Sequence, residues 1–194
     1  MLIVITGLDG SGTSTIAKKL SEYDEGSYLL KTPSLEYTDR DNIDKIVRKE
    51  SKVGHMLYYL SSTVYISDYI KNNIDYKKNN VYVVRYLIDT VVSNRVAGIN
   101  IDLNYNIYGH EILKPDLTIF VNINEILRSE RITNRGKSEL DKVLDNTEKR
   151  IAFLKEFKIL LKNEKVISIN NDSIDVDNTV DGLYKKILKY KQFL

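Results

Sequence analysis

Residues 7–15 read Gly7-Leu8-Asp9-Gly10-Ser11-Gly12-Thr13-Ser14-Thr15. Gly7, Gly12 and Ser14 fit G-x4-G-K-[ST], the pattern of a loop that cradles phosphates, with Thr13 where the pattern has lysine. Glycines let successive backbone N–H groups converge on an anion, and a helix start adds its positive end. Ser14 is placed to ligate Mg²⁺ through its hydroxyl. Thr13 can donate one hydrogen bond but brings no charge. The plainer reading is a glycine-rich turn capped by serine or threonine. A second group is cationic. Arg131 and Arg135 are four apart and share a helix face, with Arg128 three residues before. A solvated basic edge is the bland alternative for that face. Arg85 carries a guanidinium, which can hold phosphate oxygens through two parallel hydrogen bonds.

These groups need a frame. Leu2–Thr6 is a short apolar run, as expected of a parallel strand buried on both faces. Further strands are predicted over Tyr28–Lys31, Val81–Val84, Leu117–Val121 and Val166–Ile169. Helices are predicted over Ser14–Tyr23, Asp41–Glu50, Gly54–Asn73, Leu87–Ala97, Ile126–Arg135, Leu140–Lys162 and Thr179–Tyr190. Five strands alternating with helices imply an α/β fold, a three-layer α/β/α sandwich on a five-stranded parallel sheet. Ligands bind such sheets outside the carboxyl ends of the strands, so the loops starting at Gly7, Lys31, Arg85 and Asn122 should surround one crevice.

At 194 residues the chain suits one domain, taken as 1–194, with a hinge at Gly136-Lys137-Ser138 inside a lid of about 134–142. Lys+Arg is 29 against Asp+Glu 27, so no strongly basic face is expected and polymeric nucleic acid is disfavoured as a partner. The absence of cysteine excludes disulfides, thiolate metal sites and cysteine nucleophiles, and fits a reducing cytoplasm. His55 and His110 lack metal-ligand spacing and are assigned no chemistry. Asp172, Asp175 and Asp177 read as a solvated loop rather than a calcium site. No apolar run approaches the ~20 residues that span a bilayer. The opening MLIVITG predicts no signal peptide.

Four stretches together resemble thymidylate kinases. The loop from Gly7 to Thr15, with Asp9, is similar to their G-x-D-G-x-G-K-[ST]-T. Residues 83–95, VVRYLIDTVVSNR, resemble D-R-Y-x-x-S-x-x-A-Y-Q, with Arg85 and Tyr86 matching, Val84 replacing the acid, Asp89 the serine and Asn94 the glutamine. Pro115–Val121 resembles their fourth strand, P-D-L-x-[IL]-x-[LV], and Glu130–Gly136 their E-R-x-x-x-R-G approach to a lid. The resemblance spans roughly residues 1–170 and implies a fold of P-loop kinase type.

It also implies roles. Gly7, Asp9, Gly10, Ser11, Gly12, Thr13, Ser14 and Thr15 would hold the phosphates of ATP, with Ser14 on Mg²⁺. Asp9 would meet the acceptor sugar, Arg85 and Lys31 the acceptor phosphate, and Tyr86 the sugar's flank; a core tyrosine and a solvated lysine are the alternatives for the last two. Tyr58 or Tyr59 would stack on a base, or serve as ordinary core. The family's base-reading arginine falls on Val64. Arg131 and Arg135 would face the transferred phosphoryl group, and Arg131, Arg135 or Lys137 would replace the charge lost at Thr13. Asn170 and Asn171 would lie by the adenine or form a polar turn. A homodimer is implied as well. The function expected is transfer of the ATP γ-phosphoryl group to a (deoxy)nucleoside monophosphate. The rivals are a nucleotide-binding relative without kinase activity and a kinase for another acceptor, such as a nucleoside.

Overall fold

The computed structural model describes residues 1–172 and 175–192, without the side chains of 139 and 140. β1 (Leu2–Gly7) is wholly buried at the centre of a parallel sheet. α1 (Thr13–Tyr23) returns to β2 (Tyr28–Lys31) at one edge. A helical stretch follows, made of α2 (Arg40–Asn42), a wider π-type turn over Ile43–Val47 and α3 (Arg48–Glu50). Ser51 then starts α4 (Lys52–Asn73) by accepting from the Gly54 amide at 2.9 Å.

β3 (Val81–Val84) leads into α5 (Leu87–Val96). A small antiparallel hairpin comes next, β4 (Asn106–Ile107) with β5 (His110–Glu111). β6 (Leu117–Asn122), α6 (Glu125–Arg135), α7 (Glu139–Leu144), α8 (Thr147–Leu161), β7 (Val166–Asn170) and α9 (Val176–Lys191) complete the chain. The sheet order is β2-β3-β1-β6-β7, all parallel, which is the five-stranded α/β/α arrangement expected from the strand–helix alternation.

The two faces of β1 feed two cores, as the period of two along a strand requires. Leu2 and Val4 pack with Leu60, Ile66 and Ile70 of α4, Val91 of α5 and Phe157 of α8. Ile3 and Ile5 pack with Ile16 and Leu20 of α1 and with Val180, Leu183 and Ile187 of α9. Burial on both sides leaves the carboxyl ends of β1, β2 and β3 to open on a common cleft.

Three local expectations are corrected. The helix expected over Leu140–Lys162 is two helices, because the Asn146 side chain accepts from the Lys149 amide at 2.9 Å and restarts the ladder as α8. The stretch 40–50 carries a π-type turn in place of one regular helix. The β4–β5 hairpin was not expected; Tyr108 and Gly109, both at positive φ, make its turn.

Candidate active site

The phosphate loop is a cradle that only glycine backbone permits at its tightest points. Gly12 sits at φ +92°, and a Cβ there would stand 2.4 Å from Asn171 Nδ2. Gly10, at φ +87°, would drive a Cβ to 2.9 Å from Arg128 Cγ and Ile132 Cγ1. α1 begins with no side-chain cap and no acid in its first turn, so the amides that open it have no intrahelical partner. Ser14 and Thr15 are exposed there and line the cleft, while Thr13 is 6% exposed. Asn171 braces the loop from behind: its Nδ2 donates to Ser11 O at 2.8 Å and its amide to Asn122 O at 2.8 Å. Asn122 itself does not reach the cleft lining, whereas Gly7, Lys31 and Arg85 do.

Arg85 follows β3 at φ +65°, an uncommon backbone for a residue with a side chain. Its Nη1 donates to Asp89 Oδ1 at 2.7 Å and to the Gly7 carbonyl, and its Nη2 to Asp9 Oδ1 at 2.8 Å. Burial disfavours its charge, but the Asp89 and Asp9 carboxylates outweigh that and hold the guanidinium charged. Asp89 also accepts from Thr6 Oγ1 at 2.6 Å and from the Tyr86 amide at 3.0 Å, which caps α5. Tyr86, 1% exposed, forms part of the same wall.

The helix-face arginines divide into different tasks. Arg128 is 2% exposed, bound to both oxygens of Glu125 at 2.7 and 2.8 Å, and donates to Asp9 O at 3.1 Å. Arg131 donates to Asn171 O at 3.1 Å, and its Nη1 lies 3.5 Å from where a Gly12 Cβ would stand. Arg135 lies on both oxygens of Asp141 at 2.8 and 3.0 Å at the mouth of the cleft. Lys137 pairs with Asp145 at 2.9 Å, outside the cleft lining. Of the three cations proposed from sequence to replace the missing lysine, Arg131 is the one set beside the loop. The segment 134–142, expected from sequence to be a lid, contains the Ser138–Asp141 capping box; the side chains of Glu139 and Leu140 lie outside the described residues.

The opposite wall holds a cluster the sequence did not disclose. Asp44, buried, accepts at Oδ1 from Tyr59 OH at 2.7 Å and pairs there with His55 Nε2 at 2.9 Å; Arg40 Nε lies 3.4 Å from Oδ2. Burial works against the Asp44 charge, yet the bonds from His55 and Tyr59 and the Arg40 charge hold its carboxyl below the usual range. Burial, then, pushes the Tyr59 hydroxyl up. Asp44 and His55 are eleven residues apart, a separation no local motif encodes; the signal available was a histidine near the start of a helix. Tyr59 thus lines the cleft, while Tyr58 turns its hydroxyl to Tyr37 O at 3.0 Å and stays out of the lining. Lys31 is exposed at the rim, and Val64 packs against the core.

All of this surrounds a cleft of about 940 Å³, with the open end of α1 on one side and the Arg40–Asp44–Tyr59 wall on the other. Among the described residues no cluster of three or more His, Cys, Asp or Glu side chains could hold a metal ion by itself.

Comparison with known proteins agrees with this geometry. A "probable thymidylate kinase" of Methanosphaera stadtmanae is 29% identical over 98% of this chain and 98% of that one. Another, of Methanococcus aeolicus, is 25% identical over 96% and 93%. In fold, the chain is similar to a thymidylate kinase from Candida albicans (TM-score 0.73, 20% identity, 98% of this chain and 92% of that). It is equally similar to a deoxyadenosine kinase from M. mycoides with bound dATP (TM-score 0.73, 20% identity, 96% and 99%). The family model for thymidylate kinase matches residues 5–180, most of the chain and every residue that lines the cleft, and the chain therefore belongs to the thymidylate kinase family.

Proposed function

We propose that the protein moves the γ-phosphoryl group of ATP to a (deoxy)nucleoside monophosphate. The observation that carries this is one cleft with two unlike ends, an uncapped helix start at one and the Asp9–Arg85–Asp89 cluster beside the Arg40 wall at the other. The polyphosphate of ATP fits the first end, since Gly10 and Gly12 leave room that any Cβ would fill. Ser14, whose hydroxyl lines the cleft there, would hold Mg²⁺. When bound, it neutralises charge between the outer phosphates.

The protein's own contribution is positioning and charge. The α1 amides orient the donor phosphates. Arg131, beside Gly12, supplies the cation that Thr13 does not, and stabilises charge as it builds on the phosphoryl group. Arg135, at the lid, joins it once the acceptor is seated; Asp141 holds it in reserve. Asp9, fixed by Arg85, accepts from a sugar hydroxyl. Tyr59 and Tyr86 exclude water from the acceptor side. Little covalent work is asked of the chain.

Three further points belong to the same reading. Residues 1–194 act as one unit with 134–142 as the lid. Two copies pair through the outward stripe of α4, where Leu57, Tyr65 and Tyr69 are 44, 36 and 41% exposed at helical spacing. The work is done in a reducing cytoplasm; no described helix is long and apolar enough to cross a membrane.

The test is coupled ADP release with Mg·ATP across a panel of nucleosides and nucleoside monophosphates. Turnover on monophosphates supports the reading. Heat stabilisation by Mg·ATP without turnover on any acceptor would leave the nucleotide-binding alternative, because a ligand that prefers the native state raises stability by mass action.

A further inference from the structure

Next to the large cleft lies a second cavity of about 260 Å³. His55, Ser93, Asn94 and Phe153 line both cavities and stand between them. Three cations converge on the smaller one from three helices: Arg48 from α3, Lys52 from α4 and Lys149 from α8. Among the described residues no aspartate or glutamate lines it. The large cleft differs, because its arginines share the lining with Asp9, Asp41, Asp44, Asp89 and Asp141. In a chain with Lys+Arg 29 against Asp+Glu 27, three cations gathered without an acid are a local feature, not an average one.

The fold holds these charges at the cavity. The Arg48 N–H donates to Ile43 O, five residues back, so the π-type turn sets the side on which Arg48 stands. Lys52 Nζ donates to Ala97 O at 2.8 Å, which ties its ammonium to the end of α5. The Arg48 guanidinium and the Lys149 ammonium have no hydrogen-bond or ion-pair partner among the described residues. Ser93 adds a half-buried hydroxyl to the lining, also without a partner among them. Like charges gathered without a counter-charge repel, and a concave wall focuses their field on whatever enters. An anion relieves that repulsion. The space falls below the about 300–1,000 Å³ of sites for drug-sized ligands, so it does not enclose a whole nucleotide. A pyrophosphoryl group fits: its two joined phosphates offer oxygens to a guanidinium fork, two ammonium groups and a hydroxyl.

We propose that this cavity is a second anion site, separate from the phosphate loop, and that it takes a pyrophosphoryl group, either as free pyrophosphate or as the tail of a nucleoside diphosphate. The inference stands apart from the kinase reading, since none of Arg48, Lys52 and Lys149 lines the large cleft.

The deciding experiment is calorimetric titration with pyrophosphate of protein already saturated with Mg·ADP, which occupies the phosphate loop. Wild type binds pyrophosphate at a single site. Arg48→Ala, Lys52→Met and Lys149→Ala each raise its Kd about fivefold to tenfold, between the effect of an exposed ion pair and that of a charge-assisted hydrogen bond, and the three together abolish binding. Lys155→Ala removes the same charge from α8 outside the cavity and leaves the Kd within about twofold. None of these four side chains is buried, so the variants keep the fold. The same series with dTDP separates the two sources. A Kd below that of pyrophosphate, raised by the three substitutions, assigns the site to a nucleotide tail; an equal or weaker one assigns it to free pyrophosphate. The proposal is overturned if wild type saturated with Mg·ADP binds no pyrophosphate, or if Lys155→Ala weakens binding as much as Lys149→Ala does. It is overturned as well if Arg131→Ala abolishes binding while the three substitutions leave it intact, which places the anion at the phosphate loop.

Discussion

Asn171 donates from Nδ2 to the Ser11 carbonyl at 2.8 Å, joining the end of β7 to the phosphate loop across 160 residues of chain. The same residue's carbonyl receives Arg131 at 3.1 Å. One asparagine thus holds both the loop and the cation beside it.

Asn171→Ala should therefore act on stability and on nucleotide together. It leaves the Ser11 carbonyl without its side-chain donor in a buried site, which costs about 1–3 kcal/mol. A lower melting temperature and a smaller heat shift with Mg·ATP are expected. A variant that melts as wild type does would show that water replaces the amide without penalty.

Gly12 and Gly182 make a matched pair for one experiment. Gly12→Ala places a methyl 2.4 Å from Asn171 Nδ2 on a backbone at φ +92°. It should lose about 1–3 kcal/mol and most ATP binding. Gly182 lies inside α9 with nothing within 4 Å of a Cβ. Gly182→Ala should gain about 0.5–1 kcal/mol by helix propensity alone. Denaturant melts of both variants read the opposite signs directly.

Arg131→Ala should lower kcat by a factor on the order of 10² to 10³, as removal of a transition-state cation does. Thr13→Lys should raise kcat above wild type, and should rescue much of the loss in the Arg131→Ala background. Steady-state rates of the three variants decide this; a double variant as slow as Arg131→Ala alone would separate the two positions.

Asp141 ties the end of α6 to the start of α7 by accepting from Ser138 and Arg135. Burial opposes its charge, but those bonds and the Arg135 charge win, and its carboxyl is held below the usual range. A folded pKa below the unfolded one means stability that is fully present above the ordinary carboxylate range, about pH 4. It is lost as pH falls through the folded value. Asp141→Asn should thus lower the melting temperature at pH 7 and flatten its acid decline. Melting curves from neutral pH to about pH 2.5 test this, because an unchanged acid limb would place the titrating group elsewhere.

The parts of this molecule readable beforehand are those whose cause is local. Leu2–Thr6 and Val81–Val84 are continuous apolar runs because helices cover both faces of the sheet, and continuous burial shows in composition. The loop at Gly7–Thr15 shows through glycine spacing, since positive φ has few other solutions. The hairpin at Asn106–Glu111 has two residues a side, too few for a period to register. The break before α8 was legible in principle, in Asn146 ahead of Thr147 and Glu148, and was lost in a longer apolar pattern. The Asp44–His55–Tyr59 cluster was not legible, because a π-type turn sets which face of 40–50 turns inward and no residue type announces that turn. Arg128 looked like a neighbour of Arg131 and Arg135, but the fold spends it on Glu125 and the Asp9 carbonyl.

β1 is paired along both edges, with β3 and with β6. Amide hydrogen exchange in Leu2–Gly7 therefore awaits the opening of the sheet's middle, while 40–50 lies outside the sheet and packs on α4 and α7. In the proposed function the donor loop is thus joined to the sheet's middle, and the acceptor wall is not. Acceptors of different size would be accommodated by rocking of that wall, with exchange rates altered in 40–50 and untouched in the first strand.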